Sequence, residues 1–119
     1  FAVEEGPPYY ECIAISQTPD PTGAYYLYSF NTGKDFPDYP KLAVWPNAYF
    51  LTTNSSQFFL YAFDRTKMLQ GQAVSFQKFG QEVNFMLPAD LDGHIPPPAQ
   101  APGYFYTNTD HDQLRLWSL

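Results

Sequence analysis

An internal repeat constrains the fold of this chain more than any other feature. The segment YFLTTNSSQFFLYAF begins at Tyr49, and YFYTNTDHDQLRLWS begins at Tyr104, 55 positions later. Each copy has the pattern of a strand, a short polar turn and a second strand, with Tyr-Phe-x-Thr at the same place. A third, fainter copy with a longer turn, CIAISQTPDPTGAYYLYSF, begins at Cys12. Repeated strand–turn–strand units predict an architecture built from similar antiparallel sheets.

Short segments rich in Tyr, Phe, Val, Ile and Thr follow one another, with Pro, Gly, Asn, Asp or Ser between them. Such segments are typical of strands, and an aromatic content of 19% favours strands over helices. The only helical signal is DRTKMLQG, in which Asp64 begins a single turn and Gly71 ends it. The predicted strands are Glu11–Ser16, Ala24–Phe30, Lys41–Trp45, Tyr49–Thr53, Phe58–Asp64, Ala73–Phe79, Val83–Leu87, Tyr104–Asn108 and Leu114–Leu119.

Further strands surround the two clearer copies: KLAVW precedes one, VNFML precedes the other, and AVSFQKF follows the first. Units of four strands that recur about every 40–50 residues are typical of a β-propeller. We therefore predict an all-β fold of antiparallel, propeller-like blades, a little over two of them, in approximate repeats 11–35, 36–80 and 81–119. The alternative is a single β-sandwich. The proline-rich segment from Pro88 to Gly103 is predicted to be an extended loop that lengthens the period.

The charge balance limits the classes of partner. The formal net charge is −6, with six lysines and arginines scattered along the chain, so neither nucleic-acid binding nor docking to an anionic membrane is expected. No apolar run approaches the length of a membrane span, so membrane insertion is not expected either. The chain begins at Phe1 rather than Met, as expected of a mature or trimmed product. The single cysteine, Cys12, cannot form an internal disulfide; a buried thiol and a bridge outside this chain both remain open.

The candidate metal ligands lie in two predicted turns: Asp90, Asp92, Asp110 and Asp112. ADLDGH resembles the start of an acidic calcium loop, so a structural calcium ion is the one cofactor considered. The full spacing of such a loop is absent, and a surface turn is the simpler interpretation. TNTDHDQ gathers His111 with two carboxylates at a hairpin tip, but adjacent residues in a turn rarely converge on one ion.

The stretch FPDYPKLAVWPNAYFLTTN supplies the candidate binding residues Asp38, Tyr39, Lys41 and Trp45. A carbohydrate- or peptide-stacking surface is a further expectation, carried by the tyrosines predicted to be exposed: Tyr9, Tyr10, Tyr25, Tyr26 and Tyr39. Turn hydrogen bonds and core packing are the simpler explanation of all these residues. Asn54-Ser55-Ser56 matches the N-glycosylation pattern in a predicted turn, which makes Asn54 a candidate glycosylation site.

Several motifs in order, DYPKLAVWPNAY, YAFDRTKML, LPADLDG and LRLWSL, resemble a family of large secreted bacterial proteins with a repetitive, propeller-like all-β region. The resemblance extends from about Glu11 to the end of the chain. This sequence departs from the family pattern at Ala43, Asn47 and Phe50, where Gly, Asp and Tyr are usual, and lacks the additional cysteines of many members. The resemblance implies a secreted location and brings no established activity, so no catalytic residues carry over.

The sequence is compatible with two functions. The first is a non-catalytic structural or binding module of an extracellular protein, which assembles with further blades or copies because a propeller has about four to eight blades. The second is part of a propeller glycan hydrolase, with at least two of Asp35, Asp38, Asp64 and Asp90 lining a channel. The sequence contains no nucleophile elbow and no Gly-rich phosphate loop, so no catalytic residue is assigned.

Overall fold

The computed structural model describes residues 6–54, 58–81, 85–109 and 113–119. Every strand pairing in these ranges is antiparallel, which confirms the predicted all-β, antiparallel class. Each predicted strand overlaps an observed one, although residues 83 and 84, the first two of the predicted strand Val83–Leu87, lie outside the described ranges. In chain order the elements are β1 (Tyr9–Ser16), β2 (Tyr25–Gly33), β3 (Asp38–Val44), β4 (Ala48–Asn54), β5 (Phe58–Asp64), α1 (Arg65–Leu69), β6 (Phe76–Gln81), β7 (Leu87–Pro88), β8 (Tyr104–Thr109) and β9 (Gln113–Ser118).

The strands form three sheets. The first sheet is β1–β2, the middle sheet is β3–β4–β5–β6, and the third sheet is β7–β8–β9. Within each sheet, strands that are neighbours in sequence also pair, so the first sheet is a hairpin and the other two are simple meanders. The middle sheet is the four-stranded unit predicted over residues 36–80.

The single turn predicted after β5 is α1. Asp64 is its N-cap, and the Asp64 carboxylate accepts a hydrogen bond of 3.1 Å from the backbone N–H of Lys67. Gly71 follows the helix at a φ of +67°, in the left-handed region that glycine adopts without steric cost. A Cβ at this position would lie 2.5 Å from the Tyr26 ring, so the same glycine also permits close packing on β2.

The hairpins β4–β5 and β8–β9 share one register. Phe50 pairs with Ala62, and Phe105, 55 positions after Phe50, pairs with Trp117. The correspondence holds for every pair of the described hairpins, so the two segments that carry the sequence repeat pair their strands in the same register.

The preceding strands repeat at a shorter interval. Leu42 pairs with Leu51, and Leu87, 45 positions after Leu42, pairs with Tyr106. The ten-residue difference between the two intervals is therefore confined to the connection between β7 and β8. This is the proline-rich loop that was predicted to lengthen the repeat.

The middle sheet is buried on both faces, as the burial of successive residues along β4 shows. One face packs on the first sheet and forms the first core: Ile13, Ile15, Phe30, Tyr49, Leu51, Phe59, Tyr61, Phe63 and Met68. The opposite face packs on the third sheet and forms the second core: Ala43, Trp45, Phe50, Leu60, Met86 and Phe105.

Equivalent residues of the repeat meet across both cores. The rings of Phe50 and Phe105, which correspond in the repeat, have centroids 5.2 Å apart in the second core. In the first core the Phe30 and Phe63 rings, which correspond between the first and second copies, have centroids 4.6 Å apart. Corresponding faces therefore pack on each other, as in a two-fold arrangement. A ring of blades related by one rotation would instead pack each sheet on the opposite face of the next.

The Tyr-Phe-x-Thr signature is explained by the second core. The Thr52 hydroxyl donates to the Met86 carbonyl at 2.6 Å, and the Thr107 hydroxyl donates to the Phe85 carbonyl at 3.2 Å. The Phe of each copy thus packs on its counterpart, while the Thr of each copy satisfies a carbonyl of the segment between the sheets.

Candidate functional site

The outer face of the third sheet carries apolar side chains that no other sheet of the described chain covers. Strand alternation places one set of residues on the side away from the second core. We call this set the β8–β9 outer face: Tyr106, Asn108, Leu114, Leu116 and Ser118. Tyr104 begins β8 on the same side, but its ring lies against Trp45 of the second core, with the ring centroids 6.1 Å apart. Leu116 is 67% exposed, whereas Tyr61, the residue at the same repeat position in the middle sheet, is 1% exposed. None of the five side chains of the β8–β9 outer face is charged.

The outer face of the first sheet is also exposed and largely apolar, but most of its side chains are smaller. We call it the β1–β2 outer face: Cys12, Ala14, Leu27 and Ser29, which line a shallow, largely apolar cleft of about 370 Å³. Leu27 is 80% exposed, while Leu60, which corresponds to it in the repeat, is 2% exposed in the second core. Cys12 is half-buried, with its sulfur 3.8 Å from the Ser29 hydroxyl.

The structure brings two of the four candidate binding residues into contact. Tyr39 and Lys41 come together, with the Lys41 ammonium 3.7 Å from the centroid of the Tyr39 ring. Asp38 is exposed at the start of β3, in register with Asn54. Trp45 is 3% exposed, and its indole N–H donates to the Ala89 carbonyl at 2.7 Å. Its ring therefore belongs to the second core.

The candidate metal ligands do not form a recognisable cation site in the described chain. The Asp90 carboxylate accepts a 2.8 Å hydrogen bond from the backbone N–H of Val44, which ties the proline-rich loop to the edge of β3. Asp92 is exposed and lines an open cleft of about 390 Å³ with Arg65 and His94. Among the described residues no three His, Cys, Asp or Glu side chains are grouped to hold a metal ion. The hairpin tip with Asp110, His111 and Asp112 lies outside those residues.

The glycosylation candidate Asn54 is half-buried at the end of β4. Its side-chain carbonyl accepts a hydrogen bond of 3.2 Å from the backbone N–H of Phe85. The two serines that complete the glycosylation pattern lie outside the described ranges, so glycosylation stays a prediction.

Three carboxylates proposed for glycan hydrolysis each contact a different element. Asp35 forms a 3.1 Å ion pair with Lys78 on β6, Asp64 caps α1, and Asp90 holds the edge of β3. All three contacts are structural: an ion pair, a helix N-cap and a hydrogen bond to a strand edge.

Two ionisable groups in the first core were missed by sequence reasoning. Glu11 is buried between the first and middle sheets, and burial raises the pKa of its carboxyl above the ordinary value of 4.5. Burial also raises the pKa of Tyr61, to about 12. The alternation in YECIAIS carried the signal for Glu11, because it puts this residue on the same face as the buried Ile13 and Ile15.

Comparison with protein families, characterised proteins and solved structures gives no significant match. Within the described ranges, no helix has the length and hydrophobicity needed to cross a membrane.

Proposed function

We propose that this chain is a non-catalytic structural or binding module of an extracellular protein, which assembles by packing further sheets on its outer faces. The observation that carries the proposal is the contrast in burial between corresponding repeat positions. Leu116 and Leu27 are exposed, whereas their counterparts Tyr61 and Leu60 are among the most buried residues of the two cores. A repeat whose end faces are chemically like its internal faces is suited to continue by the same packing.

The most direct partner is a second copy of the chain, docked through the β8–β9 outer face. Both internal interfaces join corresponding faces, and a two-fold dimer through this face repeats that arrangement. The chain has a net charge of −6, but the five described side chains of this face are uncharged. Two copies therefore meet there without like charges in direct contact.

Additional sheets of a longer protein are the alternative covering, and a propeller is the alternative arrangement. A propeller ring needs contacts between unlike faces, because one rotation relates each blade to the next. The like-face contacts of Phe50 with Phe105 and of Phe30 with Phe63 favour a two-fold stack over a ring. The extracellular location rests on the resemblance to secreted bacterial proteins.

A glycan hydrolase is the weaker functional candidate. Such an enzyme needs two carboxylates at a fixed separation across the substrate. Asp35, Asp64 and Asp90 are each engaged in a different structural contact, which favours the non-catalytic function.

Sedimentation velocity over a range of concentrations tests the assembly. We expect a species of about twice the 13.6 kDa chain mass that dissociates on dilution. Leu116→Lys places a charge in the β8–β9 outer face and should weaken association by at least about tenfold, since a buried unpaired charge is costly.

Ile95→Lys is the matched control, because Ile95 is also an exposed apolar residue but lies in the proline-rich loop. It should leave association unchanged, and circular dichroism should show that both variants are folded. A monomer of 13.6 kDa at every concentration, or equal effects of the two substitutions, would refute the two-fold dimer.

A further inference from the structure

A second surface feature, separate from both outer faces, is a cleft of about 490 Å³ beside the start of β3. We call it the aromatic cleft; its lining residues are Tyr39, Lys41, Asn54, Phe85, Met86 and Leu87. Its volume is in the range of about 300–1,000 Å³ that is typical of small-molecule sites.

The two aromatic residues of this cleft share an uncommon backbone conformation. Tyr39 has a φ of +50° and Phe85 a φ of +54°, in the left-handed region that non-glycine residues seldom adopt. Both rings are mainly exposed, at 56% and 65%, so burial does not compensate for the backbone strain. Strained residues of this kind cluster at ligand sites, where the conformation aims a side chain.

A β-bulge accounts for the position of Tyr39. Between Asp38 and Lys41 the strand β3 advances three residues, while the partner strand β4 advances two, from Asn54 to Thr52. The extra residue bends the strand and redirects side chains, as bulges next to binding sites do. On the other side of the cleft, Asn54 accepts the hydrogen bond from the Phe85 backbone N–H and fixes that residue in place.

The chemistry of the cleft combines two aromatic surfaces with a cation and an amide. Lys41 is the one charged residue in its described lining, and the carboxamide N–H₂ of Asn54 adds a donor. Flat rings can stack on the C–H face of a sugar, an ammonium group pairs with a carboxylate, and an amide donates to a hydroxyl. We propose that the aromatic cleft binds an oligosaccharide that carries carboxylate groups, with Tyr39 and Phe85 stacking on sugar rings and Lys41 pairing with a carboxylate.

Isothermal titration calorimetry of the full chain with tetragalacturonate tests this assignment, with cellotetraose as the uncharged probe. We expect saturable binding of tetragalacturonate and at least about tenfold weaker binding of cellotetraose. Lys41→Gln should remove this preference. Tyr39→Gly and Phe85→Gly should each weaken binding of tetragalacturonate by at least about tenfold.

The glycine variants also separate a binding role from a structural one. Glycine adopts positive φ without strain, so both variants should keep or raise the Tm while they lose the ligand. Tyr25→Ser removes an exposed aromatic ring elsewhere and should leave binding unchanged. The proposal is overturned by no binding to the wild-type chain, equal binding of the two saccharides, tighter binding of a proline-rich decapeptide, or glycine variants that bind normally or melt earlier. It does not depend on dimerisation, which the Leu116→Lys variant tests separately.

Discussion

The hairpins β4–β5 and β8–β9 are built to one plan but have different surroundings. They share their register and the Tyr-Phe-x-Thr signature, and each directs a Phe and a Thr into the second core. The first hairpin has a sheet on both faces, whereas in the described chain the second has a sheet on one face only. The same repeat position is thus a core residue in one hairpin and an exposed residue in the other. Burial here is set by the neighbouring sheet rather than by the strand itself.

The substitutions with the largest expected difference in effect test this contrast in burial at one repeat position. Tyr61→Ala should lower the free energy of unfolding by about 3–5 kcal/mol, because it empties space in the first core. Leu116→Ala at the corresponding position should change it by no more than about 0.5 kcal/mol. Urea unfolding at a concentration at which the chain is monomeric measures both. Equal losses for the two variants would mean that the hairpins do not differ in their surroundings.

Gly103→Ala is expected to lower stability by about 1–3 kcal/mol. A Cβ at this position would overlap the Phe50 ring, which itself contacts Phe105. The added methyl group therefore displaces the Phe50 ring and disturbs its contact with Phe105, which joins the two hairpins. Gly80→Ala is the control, because its Cβ would meet no heavy atom within 4 Å. Thermal unfolding should show that the Tm falls clearly more in Gly103→Ala than in Gly80→Ala.

The two signature threonines should differ in their contribution to stability. Thr52→Val removes the 2.6 Å hydrogen bond and leaves the Met86 carbonyl unsatisfied, at an expected cost of about 1–3 kcal/mol. Thr107→Val removes a longer bond, of 3.2 Å, to the Phe85 carbonyl, and should cost less. Chemical denaturation of both variants measures the loss in unfolding free energy for each and shows which is larger. A larger loss at Thr107 would contradict this account of the signature.

The smallest expected effect concerns the pH dependence that Glu11 adds to the first core. Because burial raises its pKa in the folded state, the folded chain holds this proton more tightly than the unfolded chain. The contribution of Glu11 to stability therefore falls as the pH rises from about 4.5 through the folded pKa, and returns on acidification. Glu11→Gln should lack this component between pH 4 and 7. Parallel slopes of unfolding free energy against pH for both proteins would contradict the shift.

Much of the fold was predictable because its signals are local. Residue composition and bounding turn residues marked the strands, several of which also alternate. Asp64 and Gly71 marked the ends of the single helical turn, and the repeat interval indicated that the proline-rich loop is an insertion. Which faces meet was not predictable, since a strand pattern shows that a face is apolar without showing what covers it.

The site residues illustrate the same limit. Tyr39 and Lys41 come from one stretch of candidate residues, and in the structure the Lys41 ammonium lies over the Tyr39 ring. Trp45, from the same stretch, faces the second core instead, because a strand alternates its side chains between two faces. Phe85 carried no sequence signal, since neither its positive φ nor its approach to Asn54 follows from the residues around it.

The insertion between β7 and β8 has a practical consequence for engineering. At its start, the Ala89 carbonyl accepts a hydrogen bond from the Trp45 indole, and the Asp90 carboxylate accepts one from the Val44 backbone. At its end, Gly103 lies against the Phe50 ring. The corresponding connection in the middle sheet needs only Trp45 to Asn47. Ala101 also packs against the second core. Residues 91–100 are therefore the replaceable part of the loop, and foreign peptides grafted there should be displayed without disturbing the sheets.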